Sequence, residues 1–275
     1  MEKSVQYNIV RYQDSATTNV DWIASEQPLE IWLKYYNSPN QTDKLYLHST
    51  MRTPGDDINL VKGWLHSVDL LSVSDIFSIA HTGKGKLQQN NSNRIVITVK
   101  PGSLVDLSKY KANQLSVSSC GVCGQQNIES LLENLSPIAE PNRVSFPAKL
   151  ICELPNKLRQ QQTVFGKTGG VHGAGLLDQY GDVVATSEDI GRHNALDKLI
   201  GKYLPQLPGQ YAVLLSGRVS FEMVQKSARA GFSMIIAVGA PTSLAIDLCK
   251  ELDIALIGFI KGSQFNLYHG ERQLT

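Results

Sequence analysis

The chain is poor in three features, each of which would have pointed to a particular class of protein: cysteine, net charge and long apolar runs. Four cysteines in 275 residues are too few for a disulfide framework and suit a reducing compartment. The 26 basic and 25 acidic residues nearly cancel, so no overall field attracts nucleic acid or an anionic membrane. No segment reaches the roughly 18 consecutive apolar residues of a membrane span, and no signal peptide is evident. We therefore expect a soluble, cytoplasmic protein with neither a membrane nor a nucleic-acid partner.

Two of the four cysteines lie close together and are the most chemically informative residues of the chain. Cys120 and Cys123 are separated by two residues, and each is followed by a glycine. A thiol reacts as the thiolate, and the uncovered backbone N–H groups of Gly121 and Gly124 can stabilise that negative charge. The flanking sequence is polar and has neither helical nor strand periodicity. We therefore predict a mobile, exposed CxxC loop over residues 112–130.

Other interpretations of this cysteine pair stay open on the residues alone. A structural or metal-bound pair, such as half of a zinc knuckle, needs two further ligands at similar spacing. The remaining cysteines, Cys152 and Cys249, are isolated, so we predict no metal site. A dithiol oxidoreductase is a further alternative, although its CxxC motif would follow an apolar strand and open a helix.

Residues 1–145 are predicted to form a smaller N-terminal α+β domain that ends in the CxxC loop. An aspartate-rich turn precedes a helix, whose first turn we expect the side chain of Asp56 or Asp57 to cap. The predicted strands are Val5–Val10, Leu29–Leu33, Lys44–His48 and Ile95–Val99, and the apolar face of the helix comprises Leu60, Val61, Trp64 and Leu65.

Residues 146–275 are predicted to form a second domain of the α/β class. Helices and short apolar strands alternate there, which predicts a sheet covered by helices on both faces. A first helix from Lys149 to Gln162 contains Pro155, which we expect to bend or divide it. The following predicted elements are strands His172–Asp178 and Val183–Thr186, helix Arg192–Leu204, strand Tyr211–Leu215, helix Phe221–Gly231, strand Met234–Val238, helix Ser243–Leu252 and strand Ile254–Ile260.

Glycine-rich and basic turns lie at the ends of these strands, where ligands of open α/β sheets gather and helix N-termini favour phosphate. Arg192 and Arg218 each lie between an apolar strand and the following helix, so either can clamp a diphosphate. The alternative is an ordinary ion pair with Glu188, Asp189 or Glu222. His193 opens a helix, whose dipole favours a neutral imidazole, whereas His172 has the apolar setting of a core histidine. We therefore favour His193 over His172 as a functional residue.

Four motifs occur in the chain in this order: CGVCG at residues 120–124, TGGVH at 168–172, EDIGRHNALDK at 188–198 and SGRVSFEMVQK at 216–226. Together they resemble the formate dehydrogenase accessory sulfurtransferase family, FdhD/NarQ. The resemblance extends over roughly residues 28–272, which is nearly the whole chain. Several long motifs in the same order make it specific.

The resemblance implies a cytoplasmic sulfur carrier, with persulfide chemistry at the cysteine pair. Such a protein accepts sulfur from a cysteine desulfurase on Cys120, with Cys123 as a lesser partner. It passes the sulfur to the bis-molybdopterin guanine dinucleotide form of the molybdenum cofactor, which then enters formate dehydrogenase. The resemblance also implies a homodimer. A chaperone that binds the molybdenum cofactor without transferring sulfur is the alternative.

The resemblance further implies where the guanine dinucleotide, or GDP as its analogue, is bound. The family's binding segment corresponds to Phe259, Ile260, Lys261, Gly262, Ser263 and Gln264. Where many relatives have arginines, this chain has Lys261 and Gln264, a point charge and a neutral amide in place of forked phosphate donors. The glycine-rich and basic turns at the strand ends add five residues to the predicted binding residues: Gly169, Gly170, Arg192, His193 and Arg218.

The second half of this family is similar to the cytidine-deaminase fold, which implies a three-layer α/β domain. A zinc deaminase needs His-x-Glu at one helix start and Pro-Cys-x-x-Cys at the next. The corresponding residues here are His193–Ala195 and Val219–Glu222, so the zinc thiolates and the catalytic carboxylate are missing. We therefore expect a deaminase-like scaffold that binds a ligand without zinc.

Overall fold

The computed structural model describes residues 2–38, 41–82, 93–103, 105 and 135–275. The predicted CxxC loop, with Cys120 and Cys123, lies outside the described residues. The predicted boundary between two domains at residues 145 and 146 stays a prediction. The mixed α/β class is confirmed.

The first part of the chain forms a hairpin and a four-stranded sheet with one helix against it. Leu29, Ile31 and Leu33 alternate along one strand and are at most 1% exposed, because they face the helix residues Leu60 and Leu65. The sheet order is β4-β3-β6-β5, with β3 and β6 parallel. The elements are β1 Ser4–Tyr12, β2 Ala16–Ala24, β3 Gln27–Ser38, β4 Gln41–Arg52, α1 Asp57–Val68, β5 Ile76–His81 and β6 Arg94–Val99.

The start of α1 differs from the predicted side-chain cap. Asp56 occupies the cap position with a left-handed backbone, at φ 56°, and its side chain makes no capping hydrogen bond. Asp57 does not cap the helix either, because its carboxylate accepts two hydrogen bonds from the guanidinium of Arg52, at 3.0 and 2.9 Å. Both side chains of this pair are buried, so the aspartate compensates a buried charge.

The second part of the chain is built on a six-stranded mixed sheet of order β12-β11-β10-β9-β7-β8. Strands β9, β10 and β11 are parallel, while β7 is antiparallel to both of its neighbours. The elements are α2 Ala148–Gln161, α3 Thr163–Thr168, β7 His172–Leu177, β8 Val183–Asp189, α4 Arg192–Tyr203, β9 Ala212–Leu215, α5 Phe221–Arg229, β10 Met234–Ala237, α6 Ser243–Glu251, β11 Ala255–Lys261 and β12 Gln264–His269. Pro155 lies within α2, which runs through it as one helix.

Each face of this sheet has its own apolar core. Val213 and Leu215 of β9 point to the face covered by α4, α5 and α6, and Ala212 and Leu214 point to the face covered by α2. Strands buried on both faces have continuous apolar sequences, which is why β9 and β10 were recognisable without any alternation. The closer similarity to cytidine deaminases stays a prediction.

Helices α1 and α4 join the two parts of the molecule at very close range. A Cβ atom at Gly63 would overlap the backbone carbonyl of Asp197, and one at Gly201 would overlap that of Asn59. Glycine is therefore required at both positions. The contact between α1 and α4 also includes a buried hydrogen bond from Ser67 Oγ to Asp197 Oδ1, at 2.9 Å. None of the helices in the described ranges is both long and apolar enough to cross a membrane.

Candidate functional site

The turns predicted to bind a ligand meet at one edge of the six-stranded sheet. Strands β8, β9, β10 and β11 end at this edge, and β7 begins there because it runs antiparallel to its neighbours. Hydrogen bonds tie the turns together: Gly173 N donates to Ser216 Oγ at 2.9 Å, Gly239 N to Gly217 O at 3.3 Å and Phe259 N to Gly239 O at 3.2 Å. The fold therefore brings turns that are far apart in sequence together at this edge.

A cleft of about 560 Å³ opens at this edge, between the sheet and helices α2 and α3. Its lining includes Gly169, Gly170, His172 and Ser216. Gly169 ends α3 in the left-handed conformation, at φ 65°, and a Cβ atom there would meet nothing within 4 Å. The volume is within the usual range for small-ligand sites, roughly 300–1,000 Å³.

Arg192 and Arg218 make no ion pair within the part of the chain that the structure describes. Arg192 is the first residue of α4, and its Nε is buried without a hydrogen-bond partner among the described residues. Arg218 is exposed and follows Gly217. A buried guanidinium nitrogen without a partner is costly, so this arrangement favours an anionic ligand at the edge.

The ion pairs that we considered as an alternative for these arginines are not formed, because the three carboxylates have other partners. Glu188 accepts hydrogen bonds from the backbone N–H groups of Val164 and Phe165, at 2.9 and 2.8 Å, and so caps α3. The remaining partners are Lys198 for Asp189, at 2.7 Å, and His193 for Glu222, at 2.9 Å.

The two histidines at the edge differ in what surrounds them, and the functional role that we predicted for His193 stays a prediction. His193, which we favoured, lies 2.9 Å from Glu222 and 3.5 Å from Ser220 Oγ. His172, which we interpreted as a core residue, lines the cleft. Its Nδ1 is 3.5 Å from Ser216 Oγ, and a Cβ atom at Gly217 would come within 3.2 Å of the same nitrogen. His172, Arg192 and Arg218 are called the edge cluster below.

The surroundings of His172 favour the neutral form of its imidazole. Burial lowers the pKa of His172, and the positive charges of Arg192, His193 and Arg218 lower it further. The carboxylate of Asp189 opposes these effects. A neutral imidazole beside two guanidinium groups can donate a hydrogen bond to an anion or accept a proton.

A second group of polar residues, adjacent to the edge cluster, is fully paired. Asp189 Oδ2 lies 2.7 Å from Lys198 Nζ and accepts a hydrogen bond from Thr53 N at 3.1 Å. Its Oδ1 accepts hydrogen bonds from Gly191 N at 2.9 Å and Asn194 Nδ2 at 3.1 Å. These residues form the buried network, which fixes the turn that begins α4. It thereby positions Arg192, and it ties this turn to the four-stranded sheet through Thr53.

The C-terminal segment predicted to bind guanine dinucleotide lies on the outer strand of the parallel set and the hairpin after it. Phe259 has a left-handed backbone, at φ 55°, and its side chain is 54% exposed. Ile260 is buried, whereas Lys261, Gly262, Ser263 and Gln264 are exposed. A non-glycine residue with positive φ is strained, and an exposed aromatic ring held in this way is suited to stacking on a planar ligand.

A sequence model of the FdhD/NarQ family matches residues 24–275. The chain belongs to this family. Among curated relatives, the sulfur carrier protein FdhD of Streptomyces coelicolor is 39% identical over 95% of this chain and 92% of its own. The protein of the same name from Corynebacterium efficiens is 41% identical over 92% and 91%, and that of Sulfurisphaera tokodaii 36% over 98% of both chains.

A solved structure described as a formate dehydrogenase accessory protein, from Desulfotalea psychrophila, has the same fold. It superposes with a TM-score of 0.75 and covers 100% of both chains, at 22% sequence identity. This similarity applies to the fold, and the family membership rests on the sequence comparisons.

The cysteines within the described residues do not contribute to the edge. Burial raises the pKa of Cys249 to about 12, so its thiol is inert at neutral pH. Cys152 is half-buried in α2. No group of three or more His, Cys, Asp or Glu side chains that could hold a metal ion lies in the described ranges.

The buried network is the part of the site that the sequence analysis missed. We treated the turn containing Thr53 only as a helix start. A usable signal was present in α4, where the polar residues Asn194 and Lys198 occur four positions apart, next to the apolar Ala195 and Leu199. Polar residues on an otherwise apolar helix face indicate a buried polar contact.

Proposed function

We propose that this protein is a sulfur carrier that receives sulfur from a cysteine desulfurase and supplies it to a guanine-dinucleotide molybdenum cofactor destined for formate dehydrogenase. The curated relatives named sulfur carrier protein FdhD support the sulfur-carrying role. The observation that carries the ligand assignment is the edge cluster, where the buried Nε of Arg192 has no partner among the described residues.

The first chemical step assigned to Cys120 needs no external oxidant or reductant. The Cys120 thiolate attacks the outer sulfur of a persulfide on the desulfurase. A new S–S bond forms at Cys120 as the old one breaks, and the desulfurase cysteine leaves as a thiolate. Cys120 then holds the sulfur as its own persulfide.

Release of that sulfur as sulfide requires two electrons, which the cysteine pair can provide. The Cys123 thiolate attacks the inner sulfur of the Cys120 persulfide, and the outer sulfur leaves as hydrosulfide. A Cys120–Cys123 disulfide remains, and a cellular thiol must reduce it before the next cycle. The hydrosulfide becomes available to molybdenum, which is the cargo of this reaction.

The edge of the six-stranded sheet supplies groups that suit the guanine-dinucleotide portion of that cargo. Arg192 and Arg218 offer forked donors for the diphosphate, and Lys261 adds a point charge on the neighbouring hairpin. The exposed ring of Phe259 offers a surface on which guanine can stack. Gly169 and Gly170 leave room for the ligand to approach the backbone at the cleft.

The sulfur-loading step is tested by the intact mass of the protein after incubation with a cysteine desulfurase and cysteine. We expect a gain of one sulfur, about 32 Da, that reductant removes and that Cys120→Ala abolishes. Cys249→Ala is the matched control, because its buried thiol should leave the gain unchanged. Loading that persists in Cys120→Ala would exclude Cys120 as the carrier.

The edge cluster would also suit a second function, a cofactor chaperone that does not transfer sulfur, because Arg192 and Arg218 would bind an anionic ligand without a thiol. GDP binding and formate dehydrogenase maturation in a Cys120→Ala, Cys123→Ala double variant distinguish the two. A carrier should retain GDP binding and lose maturation, whereas a chaperone should retain both.

A homodimer and a cytoplasmic location complete the proposal, and both derive from the family resemblance. Light scattering of the purified chain should give about twice its mass of 30.2 kDa. A monomer mass across the concentration range would remove the dimer from the proposal.

Fractionation of cells that express the chain tests the location, and recovery outside the cytoplasm would contradict it.

A further inference from the structure

The imidazole of His172 lies in a position where one of its nitrogens is available to a ligand. Its Nδ1 is 3.5 Å from Ser216 Oγ, and that oxygen already accepts a hydrogen bond from Gly173 N at 2.9 Å. The Ser216 hydroxyl can therefore donate its proton to Nδ1, which leaves the imidazole proton on Nε2. Nε2 has no hydrogen-bond partner among the described residues, and His172 lines the cleft.

The charges around His172 oppose its protonation as long as they are not matched by a ligand. Arg192 and His193 approach it from the turn before α4, and Arg218 approaches it from the turn after β9. Arg159, whose guanidinium carbon lies 3.8 Å from the ring centre of Phe165, is the charged residue that lines the cleft beside His172 among the described residues. The negative charge that acts on His172 is that of Asp189, which is paired with Lys198 in the buried network.

Binding of a diphosphate would reverse this balance. Its negative charges would offset Arg192 and Arg218, and its oxygens would provide an acceptor for an N–H group of the imidazole. Both effects favour the charged form of a histidine. The pKa of His172 is lowered in the free protein, and the ligand would raise it, so the bound protein would hold more protons than the free one at pH values between the two.

We propose that His172 takes up a proton when the guanosine diphosphate group binds at the edge cluster, so that binding tightens as the pH falls. The inference rests on the proposed function for the identity of the diphosphate. By linkage, the ligand raises the affinity of His172 for a proton, and a proton on His172 raises the affinity for the ligand by the same factor. For one proton, the limit is about tenfold in affinity per pH unit.

Calorimetric titration of the full-length chain with GDP-mannose tests this coupling. GDP-mannose is the probe because its diphosphate is a diester and releases no proton of its own near neutral pH. Repeating the titration in buffers of different ionisation enthalpy at pH 7 counts the protons taken up. We expect a net uptake that disappears in His172→Gln, and a dissociation constant that falls from pH 8 to pH 6.5 in the wild type only.

His269→Gln is the matched control, because His269 is paired with Asp253 and ends β12 at the opposite end of the sheet. It should keep the proton uptake. Uptake that is lost in His269→Gln but kept in His172→Gln would overturn the assignment to His172, as would binding without any uptake in the wild type. Failure of GDP-mannose to bind to the wild type would instead overturn the guanine-dinucleotide ligand itself, and the coupling with it.

Discussion

The buried network and the edge cluster are adjacent, and Asp189 of the first is only three residues from Arg192 of the second. They differ in whether their charged groups already have partners. In the buried network, Asp189 accepts hydrogen bonds or ion pairs at both carboxylate oxygens. In the edge cluster, Arg192 has a buried Nε without a partner among the described residues.

This difference separates charged groups that are paired within the fold from charged groups that are open to a ligand. A buried ion that is paired on all sides contributes a fixed geometry, and removing one partner leaves an uncompensated charge. A charged group left unpaired at an open edge contributes little to stability and is free to bind an anion. Substitutions in the two groups should therefore affect different measurements.

The largest effect is expected from Lys198→Met, which leaves the buried carboxylate of Asp189 without its cation. The Lys198 side chain is 2% exposed and that of Asp189 is fully buried. We expect the free energy of unfolding to fall by about 3–5 kcal/mol, measured by urea denaturation. Arg218→Gln, in the edge cluster, should change it by no more than about 0.5 kcal/mol. Equal losses in both variants would remove the distinction between the two groups.

The next effect concerns ligand binding, with stability preserved. Arg192→Gln should weaken GDP-mannose binding by about tenfold to a hundredfold, because a charged donor to the diphosphate is lost. Its free energy of unfolding should not fall, since the guanidinium makes no ion pair among the described residues and its buried Nε has no hydrogen bond to lose. Lys202→Gln, at the exposed C-terminal end of the same helix, is the control and should bind normally. Normal binding by Arg192→Gln would exclude this residue from the ligand site.

A smaller effect, with opposite signs in two measurements, is expected at Phe259. Phe259→Gly removes the strain of a left-handed phenylalanine and should raise the free energy of unfolding by about 1 kcal/mol. The same change removes the stacking surface and should weaken GDP-mannose binding. Phe259→Ala keeps the backbone strain and should show the binding loss alone. If Phe259→Gly instead destabilised the protein and bound normally, the ring would be a structural element.

The smallest effect is expected at an exposed group of charges, where Asp253 meets Arg143, Arg272 and His269. Burial acts to raise the pKa of Asp253, but hydrogen bonds from His269 and Arg272 and the charges of Arg143 and Arg272 outweigh it and lower the pKa. The carboxylate thus stabilises the fold above its unfolded pKa of about 4, and this contribution is lost as the pH falls through the lower folded value.

Asp253→Asn should therefore cost about 1 kcal/mol or less at pH 7, because the group is partly exposed. The difference from the wild type, measured by thermal unfolding, should shrink below about pH 4. A difference that grew in acid would show that the carboxylate is not held in its charged form.

Much of the fold was predictable because local periodicity determines it. The buried strands β9 and β10 and the amphipathic helix α4 were found close to their observed bounds, and α1 was recognised from its apolar face. Strands β2, β5 and β12 were missed. None of the three has a buried residue, and pairing with β1, β6 and β11 supplies the order that their own sequences do not. The predicted side-chain cap of α1 was wrong because the carboxylate of Asp57 accepts hydrogen bonds from Arg52 instead.

The sequence by itself determined the family motifs, the α/β class of the second half and the candidate residues at strand ends. Only the tertiary structure decided which of those residues are paired. From sequence, His193 and His172 are both plausible ligand-binding residues. In the structure, His193 is paired with Glu222, whereas His172 lines the cleft. The reason is physical: residue type and spacing fix what a side chain can do, whereas its partners and burial depend on chain segments distant in sequence.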